Sequence, residues 1–103
     1  MNKPLTRGAV VFFKDDTRPY LVVSNNAANT HAADITVCPL SAKGKRLDLK
    51  THTQVNYHNS YVLCEHIHTV PKDEIRCIPH VVKRSIMCRV DECLRVALSL
   101  DRN

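Results

Sequence analysis

The spacing of apolar residues changes character near Val82, and that change limits what the chain can fold into. From about Val82 to Leu100 the residues Ile86, Val90, Cys93, Leu94, Ala97 and Leu98 recur at steps of three and four, while Arg84, Arg89, Asp91, Glu92 and Arg95 fall mainly on the opposite side. That period belongs to an amphipathic helix. Everything before it is different. Short blocks of β-branched and aromatic residues, such as Ala9-Val10-Val11-Phe12-Phe13, are separated by polar turns, a pattern of strands. A run of short strands followed by one helix predicts an antiparallel β-barrel or curled sheet with a C-terminal helix packed on it.

The strands can be placed in order. Residues 9–14 form the first, and Lys14-Asp15-Asp16-Thr17-Arg18-Pro19 is a turn in which Pro19 holds Arg18 extended. Tyr20 to Ser24 completes a hairpin. Asn25 to His31 is a loop with room for a helical turn, and Asp34 to Leu40 is a third strand. Thr51 to Asn56 alternates as a fourth strand, His58-Asn59-Ser60 turns the chain, and Tyr61 to Thr69 is a fifth. Pro71-Lys72-Asp73-Glu74 marks a turn or short helical element, and Pro79 precedes the final helix. No repeat, low-complexity tract or linker divides residues 1–103, so one domain is expected.

A chain of 103 residues buries a modest share of its surface, which makes dimerisation a natural source of added stability. The longest apolar runs, Ala9 to Phe13 and Tyr20 to Val23, fall far short of the roughly 20 residues of a membrane span. No basic-then-apolar leader opens the sequence, which predicts a soluble cytoplasmic protein. The cysteines Cys38, Cys64, Cys77, Cys88 and Cys93 are odd in number, irregularly spaced and without a CxxC pair, so reduced thiols are expected. The formal net charge of +5 suits an anionic partner, although many basic proteins bind no nucleic acid.

Several residues are candidates for chemistry. Arg18, stiffened by Pro19 at a hairpin tip, is placed to present paired donors to a phosphate, or else is a solvated turn arginine. Ser41 stands past a strand end beside Lys43, Lys45 and Arg46, which is either a phosphate-binding arrangement or a basic loop. If residues 61–69 form one strand, Cys64, His66 and His68 share a face and Glu65 takes the other. Those three invite a metal reading, but no fourth ligand or spaced pair accompanies them. His52 is either a buried, hydrogen-bonded residue or a general base. The sequence holds no nucleotide-binding glycine loop, no Gly-x-Ser-x-Gly elbow and no HExxH motif. The residues by themselves stop at a basic β-domain able to bind an anion.

Six blocks, in order over nearly the whole chain, resemble the PemK/MazF family of toxins. Arg7-Gly8 before an apolar strand is similar to its opening "RG(D/E)", and Thr17-Arg18-Pro19-Tyr20-Leu21-Val22-Val23-Ser24-Asn25 to its "xRPxLVVSN". Ile35-Thr36-Val37-Cys38-Pro39-Leu40-Ser41 resembles a strand ending "VxPLTS" or "ITAQ", and Thr51-His52-Thr53-Gln54-Val55 resembles "THVEI". Ser60 to Val70 resembles "SxVLxEQIRTVD", with His66 and His68 in place of Q and R. Val90-Asp91-Glu92-Cys93-Leu94 resembles the start of "VDEALxxSLGL". The family's longer "GxEQxGxRP" loop shrinks here to Lys14-Asp15-Asp16-Thr17.

The resemblance implies an SH3-like barrel of the PemK/CcdB fold that acts as a homodimer, with an RNA groove at the dimer interface. It implies a toxin of a type II toxin–antitoxin system, neutralised by an acidic antitoxin. The activity implied is sequence-selective endoribonuclease cleavage of single-stranded RNA, without metal or other cofactor. The ribose 2′-OH attacks the adjacent phosphate, leaving a 2′,3′-cyclic phosphate and a 5′-OH. Arg18 and Ser41 occupy the family's catalytic positions, and Glu65 matches an acidic position that some members use as general base. Arginine is too basic to remove a proton, so Arg18 is expected to stabilise the phosphorane and donate. Lys14, Thr17, Lys43, Lys45, Arg46 and His52 are the expected RNA-binding residues. The alternative is a non-catalytic CcdB-like toxin, or a nucleic-acid-binding barrel, on the same fold.

Overall fold

The structure, a computed structural model, describes residues 2–42 and 50–100. Strand β1 (Ala9–Phe13) is composed of β-branched and aromatic residues and buries all but Phe12. It turns through Asp15, whose φ of 66° is a left-handed conformation that Asp tolerates, into β2 (Pro19–Val22). Pro19 begins β2, where the missing N–H costs the ladder least. The hairpin register sets Val10 opposite Leu21 and Phe12 opposite Pro19. A short helix α1 (Asn26–His31) follows, capped by the Asn25 side chain, which accepts from Ala28 N at 2.8 Å.

Strand β3 (Asp34–Ser41) organises the sheet. It pairs along one edge with β2, setting Leu21 opposite Cys38. Its other edge is shared: the far end, Leu40 and Ser41, pairs with β5 (Tyr61–Leu63), and the near end with β6 (His68–Pro71). Strand β4 (His52–Gln54) extends β5, and β7 (Ile75–Val81) extends β1, with register shifts between Val10 and Phe12 and between Phe12 and Phe13. The order is β4-β5-β3-β2-β1-β7, with β6 on β3. The path has two ends, so among the described residues the expected barrel is an open, mostly antiparallel sheet rather than a closed one.

The open sheet is the curled-sheet form of the expected architecture, with its C-terminal helix; three finer expectations are corrected. Residues 61–69 are not one strand: a 3-10 turn over Cys64–His66 separates β5 from β6, so the alternation that put Cys64, His66 and His68 on one face does not hold. Cys64 is fully buried, while His66 and His68 are exposed. Strand β7 was not anticipated, because Arg76, Pro79 and His80 interrupt its apolar pattern. The final helix α2 runs over Arg84–Ala97, shorter at both ends than the period suggests.

Alternation along β1, β2 and β3 divides the core in two. Val10, Leu21, Cys38 and Leu40 lie under α2 with its Met87, Val90 and Cys93. Ala9, Val11, Phe13, Tyr20, Val22, Ile35 and Val37 face the other way, against Ile78 of β7. A sheet that buries both faces with one long helix must curl to cover the second itself. Each wholly buried Val or Leu contributes about 1.5–3 kcal/mol. Gly8, at φ 98°, lets α2 come close: a Cβ there would stand 3.4 Å from Met87 Cγ. Arg7 ties the same helix to the sheet, donating to Asp91 on α2 and, at 3.0 Å, to Val23 O.

Candidate active site

The curled sheet leaves a cleft of about 690 Å³ between the β1–β2 turn, the far end of β3 and the 3-10 turn after β5. Arg18 and Tyr20 enter it from β2 and its turn, Ser41 from the last residue of β3, and Glu65 and His66 from the 3-10 turn. His68, at the start of β6, closes one side. Segments far apart in sequence thus meet because β3 pairs with both β2 and β5.

Arg18 is held from below. Its backbone N–H donates to Asp16 Oδ1 at 2.9 Å, and its Nη2 donates to the Tyr20 hydroxyl at 3.0 Å. That hydroxyl donates in turn to Asp16 Oδ2 at 2.7 Å. Arg18 Nε lies 3.5 Å from Asp16 Oδ1, yet the side chain is 70% exposed, which leaves donors of the guanidinium open to a ligand in the cleft. The Tyr20 ring is buried, tilted against Phe13 and edge-on to His68 at 5.6 Å between centroids. The Arg18 backbone N–H and the Tyr20 hydroxyl hold the Asp16 carboxyl below its ordinary range. Burial, aided by Asp16, pushes the Tyr20 phenol up, so it stays a donor.

Glu65 is anchored from the opposite side. His52 Nε2 lies 2.7 Å from its Oε2, and His66 Nε2 lies 3.8 Å from the same oxygen. Burial pushes the Glu65 carboxyl up, but the His52 hydrogen bond, with help from its own backbone and from Thr51, outweighs it and holds the group below the usual range. The cleft therefore presents a fixed cation, a hydroxyl and an ionised carboxylate, the set needed to grip a phosphodiester and remove a proton beside it.

Arg18, Ser41 and Glu65 are thus brought together, and the other expected residues are not all with them. His52 lines no part of the cleft and stands behind Glu65, its side chain only 5% exposed. Lys14 lines a neighbouring hollow of about 320 Å³ that shares the Tyr20 and His68 wall. Thr17 is exposed in the turn and is not among the residues lining the cleft. Lys43, Lys45 and Arg46 lie outside the described residues. Among the described residues no group of three or more His, Cys, Asp or Glu side chains is placed to hold a metal ion. Sequence reasoning missed Asp16 and Tyr20. Their signal was the alternate spacing of positions 16, 18 and 20, which directs three side chains to one side of an extended segment.

Comparison with known proteins gives this arrangement a family. Residues 12–98 match the model of the PemK-like, MazF-like toxins of type II toxin–antitoxin systems. The endoribonuclease MazF4 of Mycobacterium tuberculosis is 33% identical over 107 aligned positions, covering 97% of each chain. Endoribonuclease EndoA of Bacillus subtilis is 27% identical, covering 81% of this chain and 77% of its own. A solved mycobacterial endoribonuclease in complex with its cognate antitoxin superposes with a TM-score of 0.84 at 28% identity, over 98% of this chain and 100% of that one. The chain belongs to the PemK/MazF toxin family. No described helix is long and apolar enough to cross a membrane.

Proposed function

We propose that this chain, a MazF-like endoribonuclease toxin of a toxin–antitoxin system, cleaves single-stranded RNA without a metal, through attack of a ribose 2′-OH on the adjacent phosphate. The observation that carries this reading is the convergence of Arg18, Ser41 and Glu65 on one cleft from three separate segments. Glu65 takes the 2′-OH proton as the oxygen attacks phosphorus. Arg18 and the Ser41 hydroxyl donate to the non-bridging oxygens, whose charge grows toward the pentavalent transition state. The bond to the 5′ oxygen breaks, that oxygen takes a proton from Arg18, and the guanidine recovers one from solvent as Glu65 releases to solvent the proton it took. The products are a 2′,3′-cyclic phosphate and a 5′-OH.

The net charge of +5 and the exposed Arg18 also suit an acidic antitoxin segment lying in the same cleft, as does the solved antitoxin complex of the mycobacterial relative. Exposed Val96, Leu98 and Leu100 near the end of α2 support pairing with a second copy. Five free thiols suit a reducing cytoplasm.

The test is cleavage of a mixed-sequence single-stranded RNA in excess EDTA by the parent and by Arg18→Ala, with the product ends mapped. Cleavage to cyclic-phosphate ends by the parent alone is expected. Intact RNA with folded parent protein overturns the nuclease reading in favour of a CcdB-like binding protein.

A further inference from the structure

The His52 side chain, 5% exposed, lies outside the lining of the cleft and touches Glu65 rather than the space a substrate would fill. An ionised carboxylate only accepts hydrogen bonds, so at 2.7 Å the His52 Nε2 must carry the proton and donate it to Glu65 Oε2. The other ring nitrogen, Nδ1, is buried with no hydrogen-bond partner among the described residues. The ring is therefore committed in one direction, toward Glu65. A buried polar atom left unpaired is costly, and its persistence marks a residue kept for something other than packing.

We propose that His52 is the positioning residue of this site, its Nε2–H fixing the Glu65 carboxylate in the one orientation that serves the 2′-OH of an RNA strand bound in the cleft. This rests on Glu65 acting as the base. Among the described residues the groups facing Glu65 are few. His52 reaches it from β4 and His66 from its own turn, Thr51 supplies a hydrogen bond, buried Cys64 precedes it, and Arg18 and His68 stand in the same cleft. Of the histidines, His66 is 3.8 Å away with a side chain 64% exposed, so water competes for it. His52 is the closer, and with its side chain only 5% exposed it is the histidine among the described residues that holds the carboxylate at a fixed place, with Thr51 beside it.

The experiment measures kcat and KM for cleavage of single-stranded RNA from pH 5 to 9. It uses the full chain and the variants His52→Gln, His52→Asn and Glu65→Gln, each checked for folding by circular dichroism. A Gln amide N–H reaches the position of Nε2, whereas an Asn amide overlays Nδ1 and points away from Glu65. His52→Asn is expected to lose about 10- to 100-fold in kcat with KM little changed. Its acidic limb should move to higher pH, because burial of Glu65 is then less opposed. His52→Gln is expected to recover most of both. Glu65→Gln is expected to lose about 100-fold or more, together with the acidic limb. If Glu65→Gln is impaired but both His52 variants keep the parental limb, or fail equally, His52 does not position Glu65 although Glu65 is the base. If Glu65→Gln keeps both rate and limb, the base assignment itself is wrong and the positioning role falls with it.

Discussion

The Tyr20 hydroxyl accepts a hydrogen bond from Arg18 Nη2 at 3.0 Å. It also donates to Asp16 Oδ2 at 2.7 Å, and Asp16 Oδ1 accepts the Arg18 backbone N–H at 2.9 Å. A guanidinium that is 70% exposed is thereby oriented by two side chains and its own backbone. Holding a cation in place before the reaction is what makes it effective at the transition state.

Tyr20→Phe should separate that role from packing. The ring keeps its contacts with Phe13 and His68, and only the hydroxyl is lost. Losing the hydroxyl's two hydrogen bonds costs about 1–3 kcal/mol of stability, and each 1 kcal/mol lowers Tm by about 4–8 °C in a domain of this size. The looser Arg18 should lower kcat/KM on the order of tenfold. Thermal melts and RNA cleavage rates check both.

Asp16 gives a pH dependence with a definite sign. Its folded pKa lies below its unfolded one, because the Arg18 backbone N–H and the Tyr20 hydroxyl favour the carboxylate. Its stabilising contribution is therefore present above an unfolded pKa of about 3.9 and lost as pH falls through the folded value. Glu65 acts in the same direction through His52. Urea midpoints should fall as pH drops below about 4. Asp16→Asn should be less stable than the parent at pH 7, with the difference vanishing toward pH 3. An equal deficit at both pH values would show that the aspartate's charge is not what matters.

The thiols should divide by burial. Cys64 is pushed up by its hydrogen bond to Cys38 and by burial, and Cys93 is pushed up to about 11, first by burial. Thiolates are the reactive form, so these buried groups should resist maleimide in the native protein while exposed Cys88 labels first. Mass spectrometry before and after denaturation reads the order directly.

Much of the fold was visible in the sequence because its signals are local. The dense β-branched block of β1 and the three-and-four spacing of α2 each declare themselves within a few residues. Strand β7 did not, since Pro79 and His80 mask its alternation and β1, distant in sequence, supplies its pairing. The break at Cys64–His66 was hidden for a related reason: a three-residue 3-10 turn between two short strands, with no Gly or Pro in it, leaves no compositional mark. In the site, Arg18, Ser41 and Glu65 could each be singled out. Their meeting, and the place of His52 behind Glu65 rather than in the cleft, depend on the pairing of β3, β4 and β5. Tyr20 reads as a strand residue, which it is, but the partners of its hydroxyl lie in a polar turn that carries no apolar pattern to announce them.

The most direct test of the 2′-OH mechanism uses an RNA whose cleaved site has been mapped and in which only the nucleotide 5′ of that phosphate is changed to 2′-deoxy. The mechanism predicts that this strand stays intact at that position while still competing with the all-ribose RNA for the protein. Cleavage there at an undiminished rate would contradict it, because the attacking oxygen would then come from elsewhere and Glu65 would have no 2′-OH proton to take.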